Sequence, residues 1–161
     1  MSRSARGARS WAFLATSMLF LMGGSSTAVA SDATDVEATI EKRVVDFNRG
    51  DFKSFVAACA PRTAIVDGFP PYAWPSCSAW IADYQANNKA LQATHGTLEI
   101  GNPVYQEFNA GRAYLIYPAT FSDMQKGKPV EYKGTWTMTL KKTRNGWAFT
   151  GSASAWGVNS F

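Results

Sequence analysis

From His95 onward the chain alternates with a period of two almost to its end, a pattern that strands satisfy and helices do not. Residues 95–105, 111–121, 129–142 and 146–156 predict four long strands. The segments between them, Asn109-Ala110-Gly111, Gln125-Lys126-Gly127-Lys128 and Arg144-Asn145-Gly146, suit hairpin turns. Consecutive hairpins predict an antiparallel sheet. In the third strand Tyr132, Gly134, Trp136, Met138 and Leu140 fall on one side, with Lys133, Thr135, Thr137 and Thr139 on the other. One face of the sheet is therefore apolar and aromatic, and the other is wet or lightly covered. Small residues late in the last strand (Gly151, Ala153, Ala155) leave room for a helix or a ligand to come close.

An apolar sheet face needs a cover, and the preceding sequence supplies helices. Thr34-Asp35-Val36-Glu37 reads as a capping box with Thr34 as N-cap. Val36, Ile40, Val44 and Phe47 then share one helical face, and Gly50 suits a left-handed C-terminal residue. Asp51 caps a second, shorter helix that turns Phe52, Phe55, Val56 and Cys59 inward, and Pro61 forbids its continuation. A short strand at 63–66 follows. Ser76 or Ser78 caps a third helix through Trp80, Ile81, Tyr84 and Leu91. The expected fold class is α+β, with three N-terminal helices packed on a curved antiparallel sheet. No internal repeat or second domain is visible.

The first thirty residues read as an export signal. Arg3, Arg6 and Arg9 form a basic start, 11–22 is an apolar run, and Ala28-Val29-Ala30 supplies small residues at a cleavage site. The apolar run is shorter than the roughly 20 residues a transmembrane helix needs. No cysteine stands at the cut to take a lipid. The expectation is one domain at 31–161, periplasmic or secreted, with no membrane attachment after cleavage. Sixteen Lys and Arg face twelve Asp and Glu in the whole chain; three of those arginines and no acids lie in the leader, so the remainder carries an excess of one positive charge. Nucleic-acid binding, which needs a clustered basic face, loses its support. The one basic cluster left, Lys141-Lys142-Thr143-Arg144, falls at a hairpin tip. Cys59 and Cys77 would meet an oxidising compartment. They read either as one bridge over a short loop, worth about 3 kcal/mol, or as two buried thiols.

Residues 62–80, RTAIVDGFPPYAWPSCSAW, place a carboxylate, four large rings and three prolines together, which reads as the mouth of a pocket. Asp67 ends the short strand and precedes Gly68-Phe69-Pro70-Pro71. Among Phe69, Tyr72 and Trp74 it would be partly desolvated, with a raised pKa suited to proton abstraction. The alternative is that Asp67 caps its own turn by accepting backbone N–H bonds. Tyr72, Trp74, Tyr117, Tyr132, Trp136 and Trp156 are the candidate ligand-binding rings, against the plainer reading that inner-face aromatics are core. His95 is the sole histidine and opens a strand, which reads as a strand-edge residue. With no second histidine, no spacing matches a metal's ligand set. No metal and no cofactor are expected.

On Asp46-Phe47-Asn48-Arg49-Gly50-Asp51, on the strand end Ile65-Val66-Asp67, and on Gly146-Trp147-Ala148-Phe149 with Trp156 downstream, the chain resembles the nuclear transport factor 2-like superfamily, particularly its bacterial SnoaL-like members. The resemblance implies a cone: a bent sheet wrapped around the long first helix, with a cavity opening near the third. It sets Asp67 near the position of the catalytic base in ketosteroid isomerase. The tyrosine of that enzyme's oxyanion hole falls on Arg43, and its acid falls among Met138–Leu140, where no carboxylate stands, so both oxyanion donors are missing. The superfamily holds enzymes and binding modules alike, so fold does not fix chemistry. Three functions stay open: binding of an unknown small apolar or aromatic molecule; an isomerase, dehydratase or cyclase with Asp67 as general base; and a protein–protein assembly or immunity module. A homodimer through the sheet is expected.

Overall fold

The computed structural model describes residues 25–157. Helix α1 (Ser25–Asn48) buries Val36, Ile40, Arg43 and Phe47 along one face, the spacing expected of a single helical stripe. It does not start at a Thr34 cap. The helix already runs through Ala28, Ala30 and Ala33, residues with the lowest cost of entering a helix, so the capping-box reading is corrected. The basic start and the apolar run of the expected export signal lie outside the described residues.

The far end of α1 follows the sequence closely. Gly50 takes φ +69°, its N–H bonds to the Phe47 carbonyl at 2.9 Å, and the Asp51 N–H reaches the Asp46 carbonyl at 2.9 Å. These paired bonds satisfy carbonyls that the helix itself leaves free. Asp51 then caps α2 (Phe52–Ala57), accepting the Ser54 N–H at 3.0 Å.

Cys59 does not face inward from α2. It opens strand β1 (Cys59–Val66), which starts earlier than expected and carries Pro61 within it. The register of β1 shifts between Cys59 and Ala64; Pro61 lies in that irregularity, where a missing N–H is tolerated. A short strand, β2 (Ala73–Trp74), folds back on Ile65 and Val66 across the Pro-rich turn. Helix α3 (Cys77–Ala90) follows, capped by Ser76, whose hydroxyl accepts the Ala79 N–H at 3.2 Å. Cys59 and Cys77 form a disulfide with Cα atoms 6.5 Å apart, joining the start of β1 to the start of α3.

The expected strand at 95–105 is two strands, β3 (Thr97–Ile100) and β4 (Tyr105–Asn109). Gly101-Asn102-Pro103 interrupts it, and both pieces pair with β5 (Arg112–Gln125). The long hairpins of β5, β6 (Lys128–Thr143) and β7 (Gly146–Trp156) are as the alternation predicted, with Trp136, Met138 and Leu140 buried and the intervening threonines half-buried. The sheet order is β2-β1-β7-β6-β5-β3, with β4 also on β5. It is not wholly antiparallel. β1 runs parallel to β7, because the chain leaves β1 through α3 and three hairpins before returning beside it, a crossover rather than a turn. The edge strand β3 is tied to α1 by Asn48, whose side chain donates to the Leu98 carbonyl and accepts the Leu98 N–H, both at 2.8 Å.

Candidate functional site

A cavity of about 340 Å³ lies between the helices and the inner face of the sheet. Phe47 and Phe55 come to it from α1 and α2, Trp80 and Tyr84 from α3, Phe121 from β5, Trp136 from β6 and Trp156 from the end of β7. The volume falls within the usual range of small-molecule sites, which are mostly apolar with a few placed polar groups. The polar side chains among the lining residues, besides the phenols of Tyr84 and Tyr132, are Asp67, Arg43, Asn87, Asn88, Gln125, Ser152 and Ser154.

Asp67 stands where β1 ends and is 9% exposed. One carboxylate oxygen accepts the Trp156 indole N–H at 2.7 Å and the Gly68 backbone N–H at 2.7 Å; the other accepts the Trp80 indole N–H at 3.0 Å. Burial pushes this carboxyl above the usual range, against the opposing pull of the bonds from Trp156, Gly68 and Trp80. Both sequence readings are thus partly present. The Gly68 bond is local capping, while the indoles arrive from α3 and β7 and hold the carboxylate at the cavity wall.

Arg43 is the least exposed of the lining residues, at 1%. Its guanidinium stacks over the rings of Phe55 at 3.8 Å and Phe149 at 4.1 Å. It donates to the disulfide sulfurs, Nη1 to Cys59 Sγ at 2.8 Å and Nη2 to Cys77 Sγ at 3.6 Å. Burial lowers its pKa to about 9.

Of the candidate rings, Tyr132, Trp136 and Trp156 line the cavity with Asp67. Tyr72, Trp74 and Tyr117 do not. Tyr72 sits at the turn tip with φ 72° and is 58% exposed. Trp74 is buried, but its indole N–H bonds to Asp83 of α3 at 2.8 Å and it is not among the cavity residues. Tyr117 is core: burial and the nearby Glu37 and Glu41 of α1 push its phenol up to about 12. His95 is exposed and bonds the Phe47 carbonyl at 2.7 Å. Met138 and Leu140, where the resemblance set an acid, are buried apolar residues.

The cavity role of Phe47, Phe121, Ser152 and Ser154 went unread in the sequence. Ser152 and Ser154 alternate with Ala153 on β7, and a period-two count puts them on one face with Trp156. Trp136 donates its indole N–H to Ser152 at 2.6 Å.

This architecture is that of nuclear transport factor 2-like proteins. A superfamily member from Salmonella enterica serovar Typhimurium superposes with TM-score 0.67 at 13% identity, over 83% of this chain and 99% of its own. A nuclear transport factor 2-like protein with a cystatin-like fold from Novosphingobium aromaticivorans gives 0.70 at 14% identity, over 88% and 94%. A protein from the same bacterium provisionally named a scytalone dehydratase gives 0.69 at 9% identity, over 83% and 89%. At such identities the likeness is one of fold. No protein-family model matches the chain, and no curated protein matches it.

Proposed function

We propose that this is an exported protein, periplasmic or secreted, that binds a small apolar or aromatic molecule inside a cone-shaped fold. The observation that carries the reading is the cavity itself: about 340 Å³, walled by nine aromatic side chains from six elements and the Pro-rich turn, with a buried carboxylate on one wall. Cores close such spaces when nothing is to enter, because each void forfeits packing. The test is solvent extraction of the natively purified protein followed by mass spectrometry, with melting temperatures across a panel of apolar and aromatic compounds. A co-purifying molecule or a saturable rise in melting temperature is expected. Neither, across a chemically broad panel, overturns the reading.

Asp67 favours a second reading, general-base catalysis of the isomerase, dehydratase or cyclase type, since its raised pKa suits proton abstraction. A ligand incubated with the protein in deuterium oxide would then gain deuterium at its acidic C–H, and Asp67→Asn would stop the exchange. No exchange above the protein-free rate leaves binding alone. The half-buried threonine face of β6 is the surface on which a homodimer would form, and light scattering of the mature chain reads that directly.

A further inference from the structure

We propose that the cavity takes an organic acid, its carboxylate seated on Arg43 and its apolar body against the aromatic walls; this rests on the small-molecule reading above. The argument begins with charge. A cation withdrawn from water is costly unless it is paired, and Arg43 is withdrawn almost completely. Among the described residues no carboxylate forms an ion pair with it. Its Nε–H is buried and meets no acceptor. Two of its five N–H groups are directed at disulfide sulfurs, which are weak acceptors. Phe55 and Phe149 supply cation–π attraction without neutralising the charge.

Arg43 nevertheless lines the cavity, so its missing partner can come from there. A guanidinium is matched by a planar, two-oxygen anion, which a carboxylate presents. The other acid at the cavity is not that partner. The oxygens of Asp67 are occupied by Trp156, Gly68 and Trp80, and burial alone, with no neighbouring charge, accounts for the lowered pKa of Arg43. Tyr84 and Tyr132, the remaining titratable groups on the wall, are phenols. Phe47, Phe121 and Trp156 then offer ring faces to the body of the ligand.

The test compares acids with alcohols of the same skeleton: benzoate, 2-naphthoate and decanoate against benzyl alcohol, 2-naphthalenemethanol and decanol. Binding is read by the fluorescence of Trp80, Trp136 and Trp156 and by calorimetry, in the wild type and in Arg43→Met. In the wild type at least one acid is expected to bind about 10-fold or more tightly than its alcohol, the ratio a charge-assisted hydrogen bond carries. Arg43→Met is expected to abolish that preference while keeping the alcohol's affinity. Equal affinity for acid and alcohol in every wild-type pair overturns the role of Arg43 and leaves the pocket reading standing. An acid preference that survives in Arg43→Met overturns it as well. No binding by any member of the series overturns the acid proposal, and the mass-spectrometric test then decides the pocket reading separately. Should Arg43→Met fail to fold, the wild-type pairs still decide.

Discussion

Asp67 is held between two opposed effects, and the sign of the outcome is measurable. Burial raises its pKa, while the N–H bonds from Trp156, Gly68 and Trp80 lower it; burial wins. An acid whose folded-state pKa is raised contributes stability that is fully present below its unfolded value and is lost as pH rises through the folded one. The stability of the wild type relative to Asp67→Asn should therefore fall as pH rises from about 4, near the ordinary aspartate value, into the neutral range. Urea unfolding at a series of pH values checks this, since the other titrating groups are common to both proteins. A difference that is flat or rises with pH contradicts the assignment. Asp67 was legible in the sequence because a strand end beside a Pro-rich turn fixes where a side chain goes. Its two indole bonds were not: Trp156 comes from a strand 89 residues on, and Trp80, though in the same stretch, reaches back from α3 by a turn the sequence does not show. Arg43 entered the sequence reading only as the residue at the position of the isomerase's oxyanion tyrosine; that it would be buried without a counter-ion depends on tertiary neighbours no periodicity reveals.

Among the elements, the join between β1 and its neighbours sets the cavity wall. The Cys59–Cys77 disulfide spans a sequence separation of 18 and anchors β1 to α3. Replacing both cysteines by alanine is expected to cost about 3 kcal/mol of unfolding free energy, read by denaturant titration under oxidising conditions; a loss below about 1 kcal/mol contradicts the anchoring role. On the other side of the wall, the backbone of β7 lies against Gly134 of β6. A Cβ there would lie 1.8 Å from the Ala155 carbonyl oxygen, next to Trp156. Gly134→Ala should push the end of β7 away, costing about 1–3 kcal/mol, and loosen the Trp156–Asp67 bond, visible as a shifted indole N–H resonance in NMR. An unmoved resonance contradicts it. The three long hairpin strands were readable because alternation and turn chemistry agree along β5 to β7. The split of β3 from β4 was not, because Leu98 and Ile100 keep the period of two up to the Gly101 break. The parallel pairing of β1 was hidden for another reason: alternation assigns faces and says nothing about strand direction.

For the whole molecule, the helices and the sheet share one core and yet leave a cavity between them beside Asp67. The aromatic count alone could not locate that space. It placed Tyr117 and Trp136 together, and they are indeed register partners on adjacent strands, yet Glu37 and Glu41 of α1 lie near Tyr117 while Trp136 is left facing the cavity. Export is a second whole-molecule expectation: N-terminal sequencing of the secreted or periplasmic protein should begin at or near Ser31, and an intact Met1 in a membrane fraction contradicts it. The central claim, that the cavity receives a small molecule, is tested most directly with a neutral fluorescent probe, N-phenyl-1-naphthylamine, titrated into the wild type and into Ser154→Phe. Ser154 lines the cavity opposite Trp136 in the β6–β7 register, so a ring there fills it. The wild type should bind the probe saturably at one site, and Ser154→Phe should weaken binding by about 10-fold or more with the fold retained by circular dichroism. Equal binding by both proteins, or none that saturates in the wild type, would contradict the account.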